Sequence, residues 1–284
     1  MNKLNYYLIR LLDKTGIIKS VNFRVAVEIS KKKYYIPFRG SKMGTENLLL
    51  AEAWFFSIYN KLRPQINDDC HFVDIGMNIG QTLLKVRSMD QHIPYIGFEP
   101  NPVCVSYLYK LIQLNQIENV RIMPVGLGSQ SEILTLYADN EFASGASVIK
   151  GFRKNQKIKF EYNIPVFSGD EILNNLKIGL IKIDVEGFEL DVLKGIINSI
   201  KLNRPFILCE ILPNYNNRDS ERYTRQMELE SLLKSNDYSM GRIEEKSAKC
   251  KLLNSIDIFD SMEESNYIFI PNERLDDVGG LLMK

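Results

Sequence analysis

Small and polar residues at every second position mark the first stretch of the chain that could do chemistry. Within residues 71–80, Asp74, Gly76, Asn78 and Gly80 alternate with apolar side chains. The apolar start predicts a buried strand, and the amphipathic run that follows predicts a helix. A tight loop between them would present free backbone N–H groups to a ligand. We therefore expect a cofactor site, with glycines supplying backbone freedom and Asn78 tolerating a left-handed conformation.

A carboxylate stands at the end of the next apolar run. Residues 95–98 are followed by Glu99, Pro100 and Asn101. In Rossmann-type folds, an acid at the tip of the second strand receives the ribose hydroxyls of a nucleotide. Strand, glycine loop, helix, strand and acid occur here in the required order, which favours a nucleotide-type cofactor over ordinary turn residues.

Acids also end two later apolar runs. Asp184 and Glu186 follow one of them, and Glu210 ends the other. Ligands of open α/β sheets bind outside the carboxyl ends of the strands, so these acids should lie together at that edge. Because like charges repel, such a group favours a cationic ligand, either an organic cation or a divalent metal. The alternative is that single acids cap helices or pair with Lys182.

Alternating strands and helices must position these residues. The apolar runs that predict parallel strands lie at 71–75, 94–98, 120–125, 179–183 and 206–210. Helices between them imply right-handed crossovers. Tyr238 and residues 266–270 predict two more strands, at an antiparallel edge. The expected fold is therefore α/β and Rossmann-like, with a mostly parallel seven-stranded sheet and helices on both faces.

The domain organisation follows from the same pattern. Residues 1–43 predict an N-terminal extension of one helix and a β-hairpin, and residues 44–284 the main domain. A single helix at 46–61 should open that domain. Residues 131–167 predict a hairpin excursion, whose small-residue loop at 143–147 and basic stretch around Arg153 and Lys154 are either solvated or an anionic acceptor site.

The apolar helix of the extension allows three partners. Residues 4–12 have helical spacing and could pack on the domain or on a partner subunit, which makes a homodimer reasonable. A membrane-surface anchor is the weaker alternative, because the run is short and its basic flank is thin.

Composition narrows the function classes. The 284 residues carry a formal net charge of +1, whereas nucleic-acid binders normally show a strong basic excess. The four cysteines form no C-x-x-C pair, and two histidines make a histidine-based metal site improbable. We expect no nucleic-acid partner, no transmembrane segment and a cytoplasmic location.

Taken together, these motifs resemble the FkbM family of S-adenosylmethionine (SAM)-dependent methyltransferases. The pattern D-x-G-x-N-x-G resembles motif I of the class I enzymes. Matching segments lie at 72–80, 97–102, 124–128, 144–147, 182–189, 204–211 and 266–271. The run Lys-Ile-Asp-Val-Glu-Gly-Phe-Glu at 182–189 is the most specific. Met77 and the pair Val125-Gly126 depart modestly from the family pattern.

The resemblance implies methyl transfer from SAM to a hydroxyl of a sugar, a glycolipid or polysaccharide, or a secondary metabolite. The implied cofactor-binding residues are Asp74, Gly76, Asn78 and Gly80 at the methionine end, Glu99, Pro100 and Asn101 at the ribose, Gly126 and Leu127 at adenine, and Asp184. Asp184 is the first choice of catalytic base, followed by Glu210 and Glu186, with Lys182 also included. A divalent metal such as Mg²⁺ is compatible with these acids but is not favoured.

Three other functions remain open. An NAD(P)-dependent oxidoreductase would share the fold, but the chain lacks G-x-G-x-x-G and a suitably placed Tyr-x-x-x-Lys pair. A nucleic-acid methyltransferase is disfavoured by the balanced charge and by the absence of a D/N-P-P-Y-type motif. A non-catalytic SAM-binding partner subunit is disfavoured by the intact acids.

Overall fold

The computed structural model describes residues 3–40, 43–49, 52–140, 145–150, 157–215, 217–218, 220–256 and 258–283. Two parts of the predicted excursion, residues 143–144 and the basic residues Arg153 and Lys154, lie outside the described residues.

The chain alternates strands and helices from residue 71 onward. The strands are β1 (Asn22–Ile29), β2 (Lys32–Arg39), β3 (His71–Ile75), β4 (Tyr95–Phe98), β5 (Val120–Met123), β6 (Gly126–Gly128), β7 (Glu132–Ala138), β8 (Phe160–Ser168), β9 (Ile178–Ile183), β10 (Phe206–Glu210), β11 (Tyr238–Glu244), β12 (Lys249–Leu253) and β13 (Asn266–Pro271). The helices are α1 (Lys3–Lys14), α2 (Thr45–Leu49), α3 (Trp54–Leu62), α4 (Gln81–Met89), α5 (Pro102–Asn115), α6 (Gly169–Leu173), α7 (Glu189–Gly195), α8 (Ile197–Asn203) and α9 (Glu221–Lys234).

The central sheet has the order β12-β11-β13-β10-β9-β3-β4-β5. Strands β10, β9, β3, β4 and β5 pair in parallel, while β13, β11 and β12 form the antiparallel edge. The Rossmann-like α/β fold is therefore the predicted one. The sheet has eight strands rather than seven, because Lys249–Leu253 forms a hairpin with β11.

The strand register explains where a ligand can approach. Ile75 pairs with both Phe98 and Ile183, so β3, β4 and β9 end at the same level. Alternate side chains enter two separate cores on opposite faces of the sheet. Val73 and Ile181 belong to one core, and Phe72 and Leu180 to the other. The loops after the three strands therefore lie side by side above a sheet that is covered on both faces.

Two predicted elements differ in the structure. The helix expected at 46–61 is two helices, α2 and α3, and Glu52 between them has a left-handed φ of 64°. The predicted strand at 120–125 ends at Met123, and Gly126–Gly128 joins a second sheet of order β6-β8-β7. That small sheet contains the antiparallel β7–β8 pair of the expected excursion.

The N-terminal helix and hairpin pack beside the main sheet. Ile9 of α1 is buried in a cluster with Ile36 of β2, Ile79 and Cys104. The division of the chain at residue 43 stays a prediction. Within the described residues, none of the helices is both long and apolar enough to cross a bilayer.

Candidate active site

A cleft of about 670 Å³, open to solvent, lies at the carboxyl ends of β3, β4 and β9. The predicted cofactor residues that line it are Gly76, Asn78, Glu99, Pro100, Asn101, Gly126, Leu127 and Asp184. The sheet register therefore brings eight of the ten predicted cofactor residues to one cleft.

The glycine loop is held on both sides by backbone contacts. The N–H groups of Gly76 and Met77 donate to the Phe98 carbonyl at 3.0 Å, and the Asp184 N–H donates to the Ile75 carbonyl at 2.9 Å. Gly76 has a φ of 91°, and a Cβ there would lie 1.8 Å from the Asp184 carbonyl oxygen. Only glycine fits that position.

Asn78 and Glu99 meet at one end of the cleft. Asn78 has a φ of 46°, which confirms the expected left-handed conformation. Its N–H donates to Glu99 Oε2 at 2.7 Å, and the Asn101 N–H donates to Oε1 at 2.8 Å. Burial raises the pKa of Glu99 to about 7, although both backbone hydrogen bonds act to lower it. The backbone of two loops thus fixes both oxygens of this carboxyl group.

Asp74 and Gly80 are the two predicted cofactor residues that do not line the cleft. Gly80 is the N-cap that precedes α4, with a φ of 82°, and a Cβ there would approach the Leu108 side chain to 2.9 Å. Asp74 is fully buried beneath the loop, where its Oδ2 accepts a hydrogen bond from the Tyr95 hydroxyl at 2.5 Å. It lies on the opposite face of β3 from Ile75, because successive side chains alternate in a strand.

The carboxylates predicted as catalytic meet at the other end of the cleft, which Asp184 and Glu186 line and Glu210 does not. Oxygens of Asp184, Glu186 and Glu210 lie within 4.8 Å of one another. Burial and the neighbouring Asp184 raise the pKa of Glu210 to about 9, and a hydrogen bond between the two side chains contributes. Two carboxyl groups at this separation repel each other when both are ionised, so Asp184 and Glu210 share one proton at neutral pH.

Lys182 lies between this acid cluster and the buried Asp74. Its Nζ donates to Asp184 Oδ2 at 2.8 Å, and its side chain is buried. Burial alone would lower the pKa of Lys182, but the charges of Asp184, Glu52 and Asp74 raise it overall. Asp74 faces Lys182 across the β3–β9 pair, so it acts on the cluster through Lys182.

Glu186 ties the small sheet to the site. It has a left-handed φ of 53°, and its carbonyl accepts a hydrogen bond from the Ser147 hydroxyl at 2.7 Å. Nearby, Glu189 accepts from the Gly187 N–H at 2.7 Å, and burial raises the pKa of Glu189 to about 7. The turn after β9 is thereby fixed against the excursion.

Sequence reasoning missed the apolar wall of the cleft. Its members come from the small sheet and its surroundings: Leu136, Ala146, Val148, Ile164, Val166 and Phe188. The available signal was the alternation of apolar residues along β7 and β8, which indicated one covered face without saying what covers it.

A second missed feature is a buried ion pair near the acid cluster. The Nζ of Lys85, which is fully buried, lies 2.7 Å from Glu52 Oε2. Lys85 belongs to the first helix after the glycine loop, and Glu52 to the break between α2 and α3. Since the sequence predicted an unbroken helix there, nothing in it indicated that Glu52 turns inward.

Comparison with known proteins matches this chain to one family. The family model described as "Methyltransferase FkbM domain" matches residues 74–240, which is more than half of the chain. The chain belongs to the FkbM methyltransferase family.

Several relatives are methyltransferases by name. "Methyltransferase 1" of Beauveria bassiana is 27% identical over 148 residues, which cover 45% of this chain and 59% of that protein. "Hexuronic acid methyltransferase AglP" of Haloferax volcanii is 25% identical over 190 residues, covering 64% and 74%. This FkbM chain therefore aligns with less than two thirds of the fungal protein's length.

Solved structures include a family member. The crystal structure of Methyltransferase FkbM from Methylobacillus flagellatus KT aligns with a TM-score of 0.46 and 17% identity, covering 72% of this chain and 44% of that one. Family membership rests on the domain match rather than on this superposition.

Proposed function

We propose that this FkbM protein transfers the methyl group of SAM to a hydroxyl of a sugar or related small-molecule acceptor. The observation that carries the proposal is one cleft with two different ends. A carboxyl group fixed by backbone N–H groups stands at one end. Asp184 and Glu186 stand at the other, with Glu210 within 4.8 Å of them. The first suits a nucleoside, and the second suits proton removal beside a sulfonium.

Glu99 would bind the ribose. Each carboxylate oxygen can accept more than one hydrogen bond, so hydroxyls can bind without displacing the N–H groups of Asn78 and Asn101. The apolar residues around Gly126 and Leu127 would contact adenine. Gly76 and Asn78 would hold the methionine end, where backbone approaches the ligand closely.

Asp184 would act as the general base. The acceptor oxygen attacks the methyl carbon in line, the carbon–sulfur bond breaks, and its electron pair stays on sulfur. The hydroxyl proton passes to Asp184, whose orientation Lys182 holds through the 2.8 Å contact. Alignment can contribute on the order of 7–11 kcal/mol, and base catalysis roughly 10²–10⁴-fold in rate.

A metal-assisted route is the minority alternative within the same site. The oxygens of Asp184, Glu186 and Glu210 are hard ligands close enough to share one divalent cation, such as Mg²⁺. Lys182 and the shared proton already offset this charge, so we favour the metal-free route. Loss of turnover in EDTA that Mg²⁺ restores would reverse that preference.

The acceptor class draws support from one relative. The Haloferax volcanii protein is named for a hexuronic acid acceptor, and the chain covers 74% of its length. We therefore place sugars and their acids first among candidate acceptors, ahead of polyketide-type hydroxyls.

The deciding experiment is thermal unfolding with SAM, S-adenosylhomocysteine, NAD and NADP in parallel. A ligand at 100 times its dissociation constant stabilises by about 2.7 kcal/mol, which shifts the midpoint clearly. We expect a shift with the first two ligands alone. A shift with a nicotinamide cofactor instead would mean that the loop and Glu99 serve an oxidoreductase.

A matched pair of variants tests whether SAM binds at Glu99. Glu99→Gln should weaken SAM binding at least about tenfold, because an amide cannot accept hydrogen bonds on both of its heteroatoms. Glu118→Gln, at an exposed position, serves as the control. Unchanged SAM affinity in Glu99→Gln would refute the ribose role. Release of S-adenosylhomocysteine with a sugar acceptor then separates an enzyme from a non-catalytic SAM-binding subunit.

A further inference from the structure

The N-terminal helix α1 has apolar residues on two faces. Ile9 is 1% exposed and anchors the helix on the main domain. On the outer side, Tyr7, Leu8 and Leu11 are 64%, 52% and 57% exposed, and Ile17 in the following turn is 49% exposed. These four outward residues form what we call the N-terminal surface. Isolated exposed apolar residues are ordinary, but four within eleven positions mark an interaction site.

Charge is distributed unevenly along the chain, and the N-terminal segment as a whole is more basic than the thin flank of residues 4–12 indicated. Residues 1–40 contain nine Lys and Arg against two Asp and Glu, a formal charge of +7. The whole chain carries +1, so the remaining residues carry −6. Arg10 and Lys14 follow Tyr7 by three and seven positions, which places them beside the apolar stripe on the helix. Lys19 lies just beyond Ile17 and is exposed.

We propose that the N-terminal surface binds an anionic membrane surface, with the apolar side chains entering the headgroup region and the basic residues facing the lipid phosphates. An apolar stripe with basic residues along its edge is the pattern of helices that lie in the bilayer interface. Anionic lipids attract neighbouring Lys and Arg, each of which increases partitioning about fivefold. This proposal does not depend on the proposed reaction.

Two other occupants fit the observations less well. A second copy of this chain would bring two segments of charge +7 together, and like charge opposes such pairing. Nucleic acid would use the basic residues but would leave Leu8, Leu11 and Ile17 without a partner, because phosphate contacts are polar. A membrane surface uses both kinds of residue at once.

The position of α1 gives membrane binding a consequence for the cleft. The cluster that holds Ile9 also contains Ile79, from the glycine loop, and Cys104, which lines the cleft. Membrane binding through α1 would therefore be linked to the wall of the cleft by this cluster of buried side chains.

Vesicle co-sedimentation of the full chain tests the proposal. We expect binding to phosphatidylcholine vesicles that contain about one third phosphatidylserine, at about 0.15 M salt, and little binding to phosphatidylcholine alone. Leu8→Ser combined with Leu11→Ser should weaken binding at least about tenfold. Lys14→Gln and Lys19→Gln should each weaken it about fivefold.

Matched controls make each outcome decisive. Ile133→Ser and Leu202→Ser remove apolar side chains that are 69% and 73% exposed elsewhere, and should leave vesicle binding unchanged. Unaltered thermal midpoints show that all variants fold. No binding to anionic vesicles, or equal loss in the controls, would overturn the proposal. Loss with the lysine variants alone would indicate general polyanion binding and overturn it too.

Sedimentation equilibrium without lipid tests whether a second copy of the chain binds the N-terminal surface instead. We expect the wild type and the Leu8→Ser, Leu11→Ser variant to have the same mass. A wild-type dimer that this variant dissociates, with no vesicle binding by either, would assign the N-terminal surface to a second copy of the chain.

Discussion

The two ends of the cleft hold their carboxyl groups in different ways. At the Glu99 end, backbone N–H groups of Asn78 and Asn101 bind both oxygens. At the other end, Asp184 and Glu210 are held by each other and by Lys182. Backbone partners do not titrate, whereas carboxylate partners do. The partners of Glu99 at the first end therefore stay the same at every pH, whereas the partners at the second end change when a carboxyl group gains or loses a proton.

This difference separates binding from chemistry. A rigid carboxyl group suits recognition, because its partners lose nothing when a ligand arrives. Catalytic proton transfer needs groups whose protonation can change, and burial with a like-charged neighbour supplies that property. Each of the following substitutions tests either the Glu99 end of the cleft or the acid cluster and the residues beneath it.

The largest effect should come from Asp184→Asn. The amide can still accept from Lys182 but cannot take a proton, so turnover should fall roughly 10²–10⁴-fold, equivalent to about 2.7–5.4 kcal/mol. SAM affinity measured by calorimetry should stay within about twofold, because we assign SAM binding mainly to the Glu99 end of the cleft. Asp68→Asn, whose side chain is 94% exposed, is the control. Full activity in Asp184→Asn would move the base elsewhere.

Gly76→Ala should damage the binding end through the backbone alone. A Cβ at φ 91° would meet the Asp184 carbonyl oxygen at 1.8 Å. Left-handed strain costs about 1–2 kcal/mol, and overpacking adds about 1–3 kcal/mol. Denaturant unfolding should report the sum as lost stability. Gly126→Ala is the comparison, because its Cβ would meet side chains rather than backbone, the nearest being Val166 at 3.1 Å. Equal losses would mean that the loop tolerates the displacement.

The acid cluster should make stability depend on pH. The pKa of Glu210 is raised to about 9 in the folded protein, from 4.5 in the unfolded chain. The folded state therefore binds the extra proton between these values, and its stability falls as pH rises, by at most about 1.4 kcal/mol per pH unit. A glutamine at position 210 does not titrate, so Glu210→Gln should not lose stability through this group as pH rises. The free energy of unfolding of the variant should therefore increase relative to that of the wild type from pH 5 to pH 9.

Thermal unfolding across that range provides the measurement for Glu210→Gln. Glu118→Gln, which changes an exposed side chain, should run parallel to wild type. A constant difference between Glu210→Gln and wild type at all pH values would show that Glu210 is ionised in the fold.

The smallest effect is expected beneath the cleft, at Tyr95. Tyr95→Phe removes the hydroxyl that donates to Asp74 Oδ2, and Asp74 is fully buried. Leaving that oxygen without its donor should cost about 1–3 kcal/mol in unfolding free energy. A double-mutant cycle with Asp74→Asn isolates the pair, and the expected coupling is about 1 kcal/mol. Zero coupling would show that the Tyr95 hydroxyl does not stabilise Asp74.

Much of the fold was predictable because its signals are local. Apolar runs of five or six residues, glycine loops and helical spacing depend on neighbours in the chain, and they placed the parallel strands and the acids at strand ends. The broken helix around Glu52 and the eighth strand were missed. Both depend on contacts with distant residues, such as the ion pair from Glu52 to Lys85.

The sequence by itself determined which chemical groups stand at the carboxyl edge: a glycine loop, Glu99, and the acids after β9 and β10. Only the tertiary structure decided which of these groups face the cleft and which lie beneath it. Strand pleating turned Asp74 down toward Lys182 and away from the cleft, and packing of β7 and β8 supplied the apolar wall. Residue type and spacing are encoded along the chain, but the partner of each carboxyl group is set by contacts that only the folded sheet brings together.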